Sequence, residues 1–385
     1  MSCPIRTYPL KRPDGHQPPV PRWQLVFGLE VTNVHIAYIG VQRHSDAEDV
    51  IRAGEQAINA VRGWIDKEAE DGFAVTEEFD VIDGDDAGNA HVWACYWADE
   101  AIYKSALEQL SLSKIHDALS PAAGRSSIGL WLETFTVPPS RLETNYTGLD
   151  YLPGVARLPN TTTEPHTLTA YWGAARDRIP DSAHDLFETK NSDEWYVRLV
   201  EEKHSAGAGR HILGTNADNL VHIRSGQFWE TCDDVEADAY ERQLEPTLEA
   251  GLRYLWENPS ESGARGLRYL RNTDTANGSG NNNNSSEEEK ENMRRPRRET
   301  CVAGYFTSLD KLEGWAKSHK SHLAIYHGAM RHAKVFGDTR RFRTWHEVVI
   351  LKKGEARFEY VNCVDKTGVL RFIAPDGAVN NAVER

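Results

Sequence analysis

The chain has 385 residues, of which 39% are hydrophobic and 9% aromatic, and it carries a net charge of −14 at neutral pH. That length supports a substantial core in one large domain or two ordinary ones. The acidic balance excludes non-specific nucleic-acid binding and adhesion to an anionic membrane surface, both of which need a cationic face.

Residues 1–22, rich in proline and basic side chains, read as an extended arm. They lack the apolar stretch of a signal peptide, and no later run reaches the roughly 18 apolar residues of a membrane helix, so a soluble, cytoplasmic protein is expected. A first regular element starts at Trp23. Residues 32–43 predict a strand through Val34, Ile36, Tyr38, Ile39 and Val41. Residues 46–67 predict a helix ending near Trp64, and residues 74–97 predict two strands joined by a Gly/Asp-rich turn. Residues 99–112 return to helix, with Leu107, Leu110 and Leu112 on its apolar side.

A second copy of this plan follows. The strand-like HTLTAYWGAARDRIP (166–180) parallels HIAYIGVQR through AYWGA and AYIGV, and GYFTSLDKLEGW (304–315) parallels CYWADEAIYKSA (95–106). The offsets differ, so the second copy carries an insertion. Residues 273–299 supply part of it: rich in Asn and Ser, with segregated charge, they predict a disordered, mobile surface loop. The basic run 294–298 belongs to that solvated stretch. Residues 308–322 predict one amphipathic helix, with Ser308 as N-cap and Asp310 in the first turn, ending on His319 and His322. Residues 341–370 predict two strands around Lys352, Lys353, Gly354 and Glu355, with His346 just before the first. The expected units are a 1–22 arm, a 23–150 unit and a 151–385 unit; the fold class is α+β, with mixed sheets and helices outside.

Five cysteines without a CxxC argue against a disulfide framework or a zinc knuckle. No HExxH, phosphate loop or GxSxG elbow occurs. Five short stretches remain as candidates: LET (142–144), YWGAARDRIP (171–180), IRSGQFW (223–229), SHKSHL (318–323) and TWHEV (344–348). Each has a plain structural reading. Arg178 could be a surface ion pair, Ser225 a turn residue before a glycine, Glu143 a solvated carboxylate, and His346 a satisfied strand histidine. The pair His319 and His322 could simply pack.

Taken together and in order, these blocks resemble the haem-containing aldoxime dehydratases, including the phenylacetaldoxime dehydratases. The resemblance runs from Pro18 to Leu370 and is clearest in YWGAARDRIP, RSGQ, SLDKLEGWAKSHKSHL, WHEV and FEYVNC followed by TGVLR. It implies a dimeric α+β barrel of two ferredoxin-like units, a haem b cofactor active in the ferrous state, and conversion of an arylalkyl or alkyl aldoxime to a nitrile. It further implies that His322 is the axial haem ligand and His346 the distal general acid/base. Ser225 and Arg178 would hold the substrate hydroxyl, Glu143 would assist the histidine, and the oxime nitrogen would bind the iron. The family's SHPTHL reads SHKSHL here, so Lys320 replaces proline, which bears on where the helix ends and on whether His319 or His322 serves as ligand. An oxidative haem enzyme on a related barrel, peroxidase-like or chlorite-dismutase-like, and a non-catalytic haem carrier or sensor are the alternatives that the same axial histidine would suit.

Overall fold

Strands buried on both faces organise this molecule: side chains at i and i+2 share a face, and in most strands the two faces pack against different partners. The computed structural model describes residues 6–70, 75–120, 125–189, 196–203, 209–273 and 297–373. Among the described residues fourteen strands form one sheet: β1 (Trp23–Phe27), β2 (Val34–Arg43), β3 (Val75–Gly84), β4 (Ala90–Trp97), β5 (Ile128–Val137), β6 (Leu142–Tyr146), β7 (Thr161–Pro165), β8 (Tyr196–Lys203), β9 (Arg210–Asn216), β10 (Leu220–Phe228), β11 (Ala264–Asn272), β12 (Glu299–Phe306), β13 (Arg343–Leu351) and β14 (Ala356–Val361). Their order is β7-β1-β6-β13-β10-β12-β11-β3-β4-β2-β5-β14-β9-β8.

Two βαββαβ units are embedded in it. In the first, a helix over Glu48–Glu70 joins β2 to β3, and helices over Glu100–Gln109 and Leu112–Ala118 join β4 to β5. In the second, a helix over Glu245–Glu257 lies between β10 and β11, and helices over Leu309–Ser318 and Lys320–Phe336 lie between β12 and β13. Both units have the ferredoxin-like order fourth-first-third-second, all antiparallel. The fold is therefore α+β with two ferredoxin-like units, joined through β11 and β3.

The repeat lies partly where the sequence suggested. Tyr96 and Tyr305 both end a third strand, and the caps Asp99 and Ser308 both start the helix that follows, their side chains accepting from Ala101 N and Ile102 N and from Lys311 N respectively. The AYWGA match fails, because residues 171–173 are not a strand and Ala174–Arg178 is a short helix. The counterpart of β2 is β10. Gly40 faces Trp131 across β2 and β5, as Gly226 faces Trp345 across β10 and β13, and a Cβ on either glycine would run into the indole. Ser225 and Gly226 thus sit mid-strand, so the plain reading of Ser225 as a turn residue does not hold.

Two further expectations need correcting. The 99–112 helix is broken at Leu110 and Ser111, because Ser111 accepts from Lys114 N and caps a second helix. The 273–299 segment lies mostly outside the described residues (274–296), but its last residue, Glu299, is fully buried at the start of β12 and accepts from Asn272 Nδ2 at 2.8 Å.

The inner faces of the two units pack on each other, and the helices cover the outer faces. Tyr38 of β2 lies 5.2 Å from His222 of β10, and Phe135 of β5 lies 6.5 Å from Tyr305 of β12. Two buried guanidinium groups bridge the units. Arg224 of β10 meets Glu77 Oε2 of β3 at 2.6 Å, donates to Tyr96 Oη at 2.5 Å and lies 4.6 Å above Trp345. Arg268 of β11 donates to both Glu133 oxygens, at 2.7 and 3.1 Å, and to Asp86 at 2.8 Å, 3.8 Å from the Trp131 ring. On the outer side, Val50, Ala53, Ala57, Val61 and Trp64 recur at helical spacing and bury the Glu48–Glu70 helix against the first unit.

Glu347 of β13 shares the interior with Glu77 and Arg224. Burial lifts its carboxyl to about 7, since Arg224 is already engaged by Glu77 and pulls only partly the other way. The folded state therefore favours the protonated acid, a contribution present below the unfolded value near 4.5 and lost as pH rises through about 7. Glu347→Gln should leave stability nearly unchanged at pH 4 and raise it at pH 8 by up to about 3 kcal/mol; urea melts of both proteins at the two pH values read this.

Candidate active site

Strand register sets one wall of the site. Asn145 of β6, His346 of β13, Ser225 of β10 and Val302 of β12 lie directly opposite one another, so their side chains share the outer face. Two residues along, Glu143, Val348 and Ile223 form the next row on that face. The intervening residues Trp345, Glu347 and Arg224 point inward. β6 follows the first unit in sequence yet pairs with β13 of the second, which is how Glu143 reaches His346.

The second wall is helical. The predicted single helix over 308–322 ends at Ser318; His319 is extended (φ −85°, ψ 132°), and its ring accepts from Ser321 N to cap the helix over Lys320–Phe336. Lys320 is the first residue of that helix, a position that needs no backbone N–H partner and so tolerates proline and lysine alike. His319 stacks on Tyr254 at 3.6 Å beside a smaller, separate cavity. His322 instead faces the main cavity, edge-on to Trp315 at 4.8 Å. Burial lowers the His322 pKa, with the Ala316 backbone pulling it back up.

The third wall is the 166–178 segment. Gly173 adopts φ +99°, a conformation glycine tolerates, and starts the short helix Ala174–Arg178 that Ile179 and Pro180 close. Three successive side chains of this helix bind three different elements. Arg176 donates to Asp310 at 2.7 Å and Glu313 at 2.9 Å on the Leu309–Ser318 helix. Asp177 accepts from the backbone N–H groups of Lys11 (2.8 Å) and Arg12 (3.1 Å) in the N-terminal arm, and from Tyr171 Oη (2.7 Å). Arg178 holds Glu143 in a fork, Nε to Oε2 at 2.8 Å and Nη2 to Oε1 at 3.0 Å, with Nη1 on the Leu168 carbonyl at 2.6 Å.

The ring of His346 closes this network. Its Nε2 lies 2.9 Å from Arg178 Nη2 and 3.1 Å from Glu143 Oε1. Unprotonated, Nε2 accepts from the guanidinium; protonated, it donates to the carboxylate. Both partners are held in place for either state. Burial pushes the Glu143 carboxyl up, but Arg178 and then His346 outweigh it and hold it at about 2, so it stays charged.

All five residues singled out in the sequence, Glu143, Arg178, Ser225, His322 and His346, line one cavity of about 900 Å³. That is at the upper end of ligand pockets, roughly 300–1,000 Å³. Its remaining walls are largely apolar, from Leu248, Leu252, Val302, Phe306, Ile325 and Met330. A large apolar cavity, with a buried imidazole on the helical wall and a second imidazole within a charged network on the sheet wall, fits a flat apolar macrocycle whose metal takes a nitrogen donor. Asn145, Gln227, Arg22 and Tyr326 also line it and were not singled out in the sequence. Two-residue spacing from Glu143 and Ser225 on their strands would have found the first two, and one helical turn from His322 the last. Nothing local in the sequence marks Arg22.

The chain belongs to the haem-containing dehydratase family, whose sequence pattern matches residues 37–369. It is 29% identical over 379 residues to an aliphatic aldoxime dehydratase of Pseudomonas chlororaphis, covering 97% of each chain. It is 28% identical to a phenylacetaldoxime dehydratase of Bacillus sp. (strain OxB-1), covering 94% of this chain and 93% of that one. A crystal structure of an aldoxime dehydratase in complex with butyraldoxime superposes with a TM-score of 0.77 at 25% identity, covering 95% of this chain and 93% of that one. No helix among the described residues is long and apolar enough to cross a membrane.

Removing Arg178 would strip Glu143 of both fork hydrogen bonds and leave the His346 ring, 3.1 Å from Oε1, as its remaining partner in the interior among the described residues. Arg178→Met should therefore destabilise the fold by about 3–5 kcal/mol, and Glu143→Gln in the same chain should recover much of that loss. Denaturant melts of the two single variants and the double variant measure the coupling; additive losses would contradict the pair.

Proposed function

We propose that this protein dehydrates aldoximes to nitriles, with a b-type haem held by His322. The observation that supports this most directly is the meeting of Glu143, Arg178, Ser225, His322 and His346 in one apolar cavity. Relatives matched over nearly the whole chain are aliphatic aldoxime and phenylacetaldoxime dehydratases, and the butyraldoxime complex shares the fold. A homodimer, as the resemblance implies, belongs to the same proposal, and the molar mass in solution reads it.

The reaction takes R–CH=N–OH to R–C≡N and water. The N–O bond breaks, the hydroxyl leaves with an added proton, and the carbon-bound hydrogen is lost as a proton, so no net oxidation occurs. Hydroxide is a poor leaving group, which makes the proton at oxygen the first requirement. In the proposed mechanism His346 Nε2 gives that proton and then takes up the one from carbon. Glu143 Oε1 stabilises the protonated ring, and Arg178 Nη2 donates to the ring nitrogen once the proton has gone. The Ser225 hydroxyl, across the strand from His346, and the remaining Nη1–H of Arg178 orient the oxime hydroxyl. The apolar walls take the hydrocarbon part of an alkyl or arylalkyl substrate and exclude water from the proton path. His322 would hold the haem, which in ferrous form would supply Lewis acidity and electron density for N–O cleavage.

His322→Ala should lose haem; a variant with a full, unshifted Soret band would refute the ligand assignment. His346→Ala should keep its haem spectrum while nitrile formation from phenylacetaldoxime, followed anaerobically after reduction, falls by about 10²–10⁴-fold. Turnover near the wild-type rate would remove His346 from the proton path.

A further inference from the structure

The cavity holds an imbalance of charge that the reaction does not use. The chain as a whole is acidic, yet both carboxylates lining this cavity are committed: Glu143 to Arg178, and Glu313 to Arg176. Three lining cations, Lys11, Arg22 and Lys317, have no carboxylate partner among the described residues.

Arg22 is the most constrained of the three. It stands at the junction of the N-terminal arm and β1, its carbonyl fixed by His166 N at 3.0 Å. Its guanidinium is partly buried, and among the described residues its hydrogen bond is from Nη1 to the neighbouring Pro21 carbonyl at 2.9 Å. Burial first, and then Arg340 and Arg178, press its pKa down to about 10, with Tyr326 a smaller influence the other way. Tyr326 lies one turn beyond His322 on the same helix. A guanidinium brought out of water among other cations gains most from an anion with two oxygens, which it can grip in a planar fork. An aldoxime is neutral and offers none. A b-type haem carries two propionate carboxylates on one edge of an otherwise apolar ring.

Resting on the haem reading above, we infer that Arg22 is a haem-propionate anchor, a site through which the N-terminal arm closes on the cofactor. The arm is held independently by the backbone bonds from Lys11 and Arg12 to Asp177, so Arg22 is presented by a fixed segment. The same chemistry could serve a carboxylate at the end of a substrate chain, and the test separates the two sources.

The test reconstitutes wild type, Arg22→Gln and Arg22→Lys with protohaem and with protohaem dimethyl ester, whose propionates are uncharged. Transfer of each pigment to excess apomyoglobin reads its dissociation. Wild type should hold protohaem more tightly than the ester, and Arg22→Gln should lose protohaem about tenfold faster or more, the equivalent of one charge-assisted hydrogen bond. The ester should dissociate equally from both proteins, which shows that the variant is folded, and Arg22→Lys should recover part of the preference. An Arg22→Gln protein that keeps the wild-type preference for the free acid overturns the inference. So does unchanged haem retention with a selective loss of turnover on a carboxyl-terminated aldoxime, which would assign the cation to substrate. Failure of wild type to take up either pigment sinks the haem reading itself, a separate result.

Discussion

The fork between Arg178 and Glu143 is the interaction on which the site depends. It joins a short helix in a loop to a strand in the sheet, and it does so where neither charge reaches water freely. A buried pair of this kind adds little net stability over apolar packing, but breaking it strands a charge, so it fixes geometry firmly. Its neighbours extend the constraint: Arg176 ties the same helix to the Leu309–Ser318 helix, whose end sets where the next helix and His322 begin. Asp177 ties it to the N-terminal arm. Three consecutive side chains therefore hold sheet, helices and arm around one cavity.

The strand β13 shows how the fold separates structure from chemistry. His346 points out to the cavity, while Trp345 and Glu347 point into the interface between the two units. The interior face carries its own buried charges, Arg224 and Arg268, each engaged by carboxylates of the other unit. A one-residue slip of register would exchange the two sets, placing His346 in the interior and Glu347 in the cavity. Gly226 guards that register, because the Trp345 indole lies where any larger residue of β10 would stand.

Much of this was legible in the sequence wherever local chemistry decides the outcome. The strands around Lys352–Glu355, the cap at Ser308 and the hairpin around residues 85–89 follow from patterns of a few residues. The five site residues came from a resemblance in several ordered blocks; no single block would have carried them. The failures have physical reasons. AYWGA has β-forming aromatics, but the left-handed Gly173 and the helix-forming AARDR run override them. The break at His319 depends on a side-chain cap to Ser321 N, which the amphipathic period does not register. Arg22 and the pairing of β6 with β13 are products of long-range packing, and no local pattern encodes them.

Two imidazoles from opposite walls share one cavity, and the proposed function gives His322 the iron and His346 the protons. A crystal structure of the haem-loaded protein tests that division most directly. The account predicts the ring of His322 bonded to iron and His346 on the other side of the macrocycle, still within reach of Glu143 and Arg178. Iron bonded to His346, or both rings on one side of the haem, would contradict it.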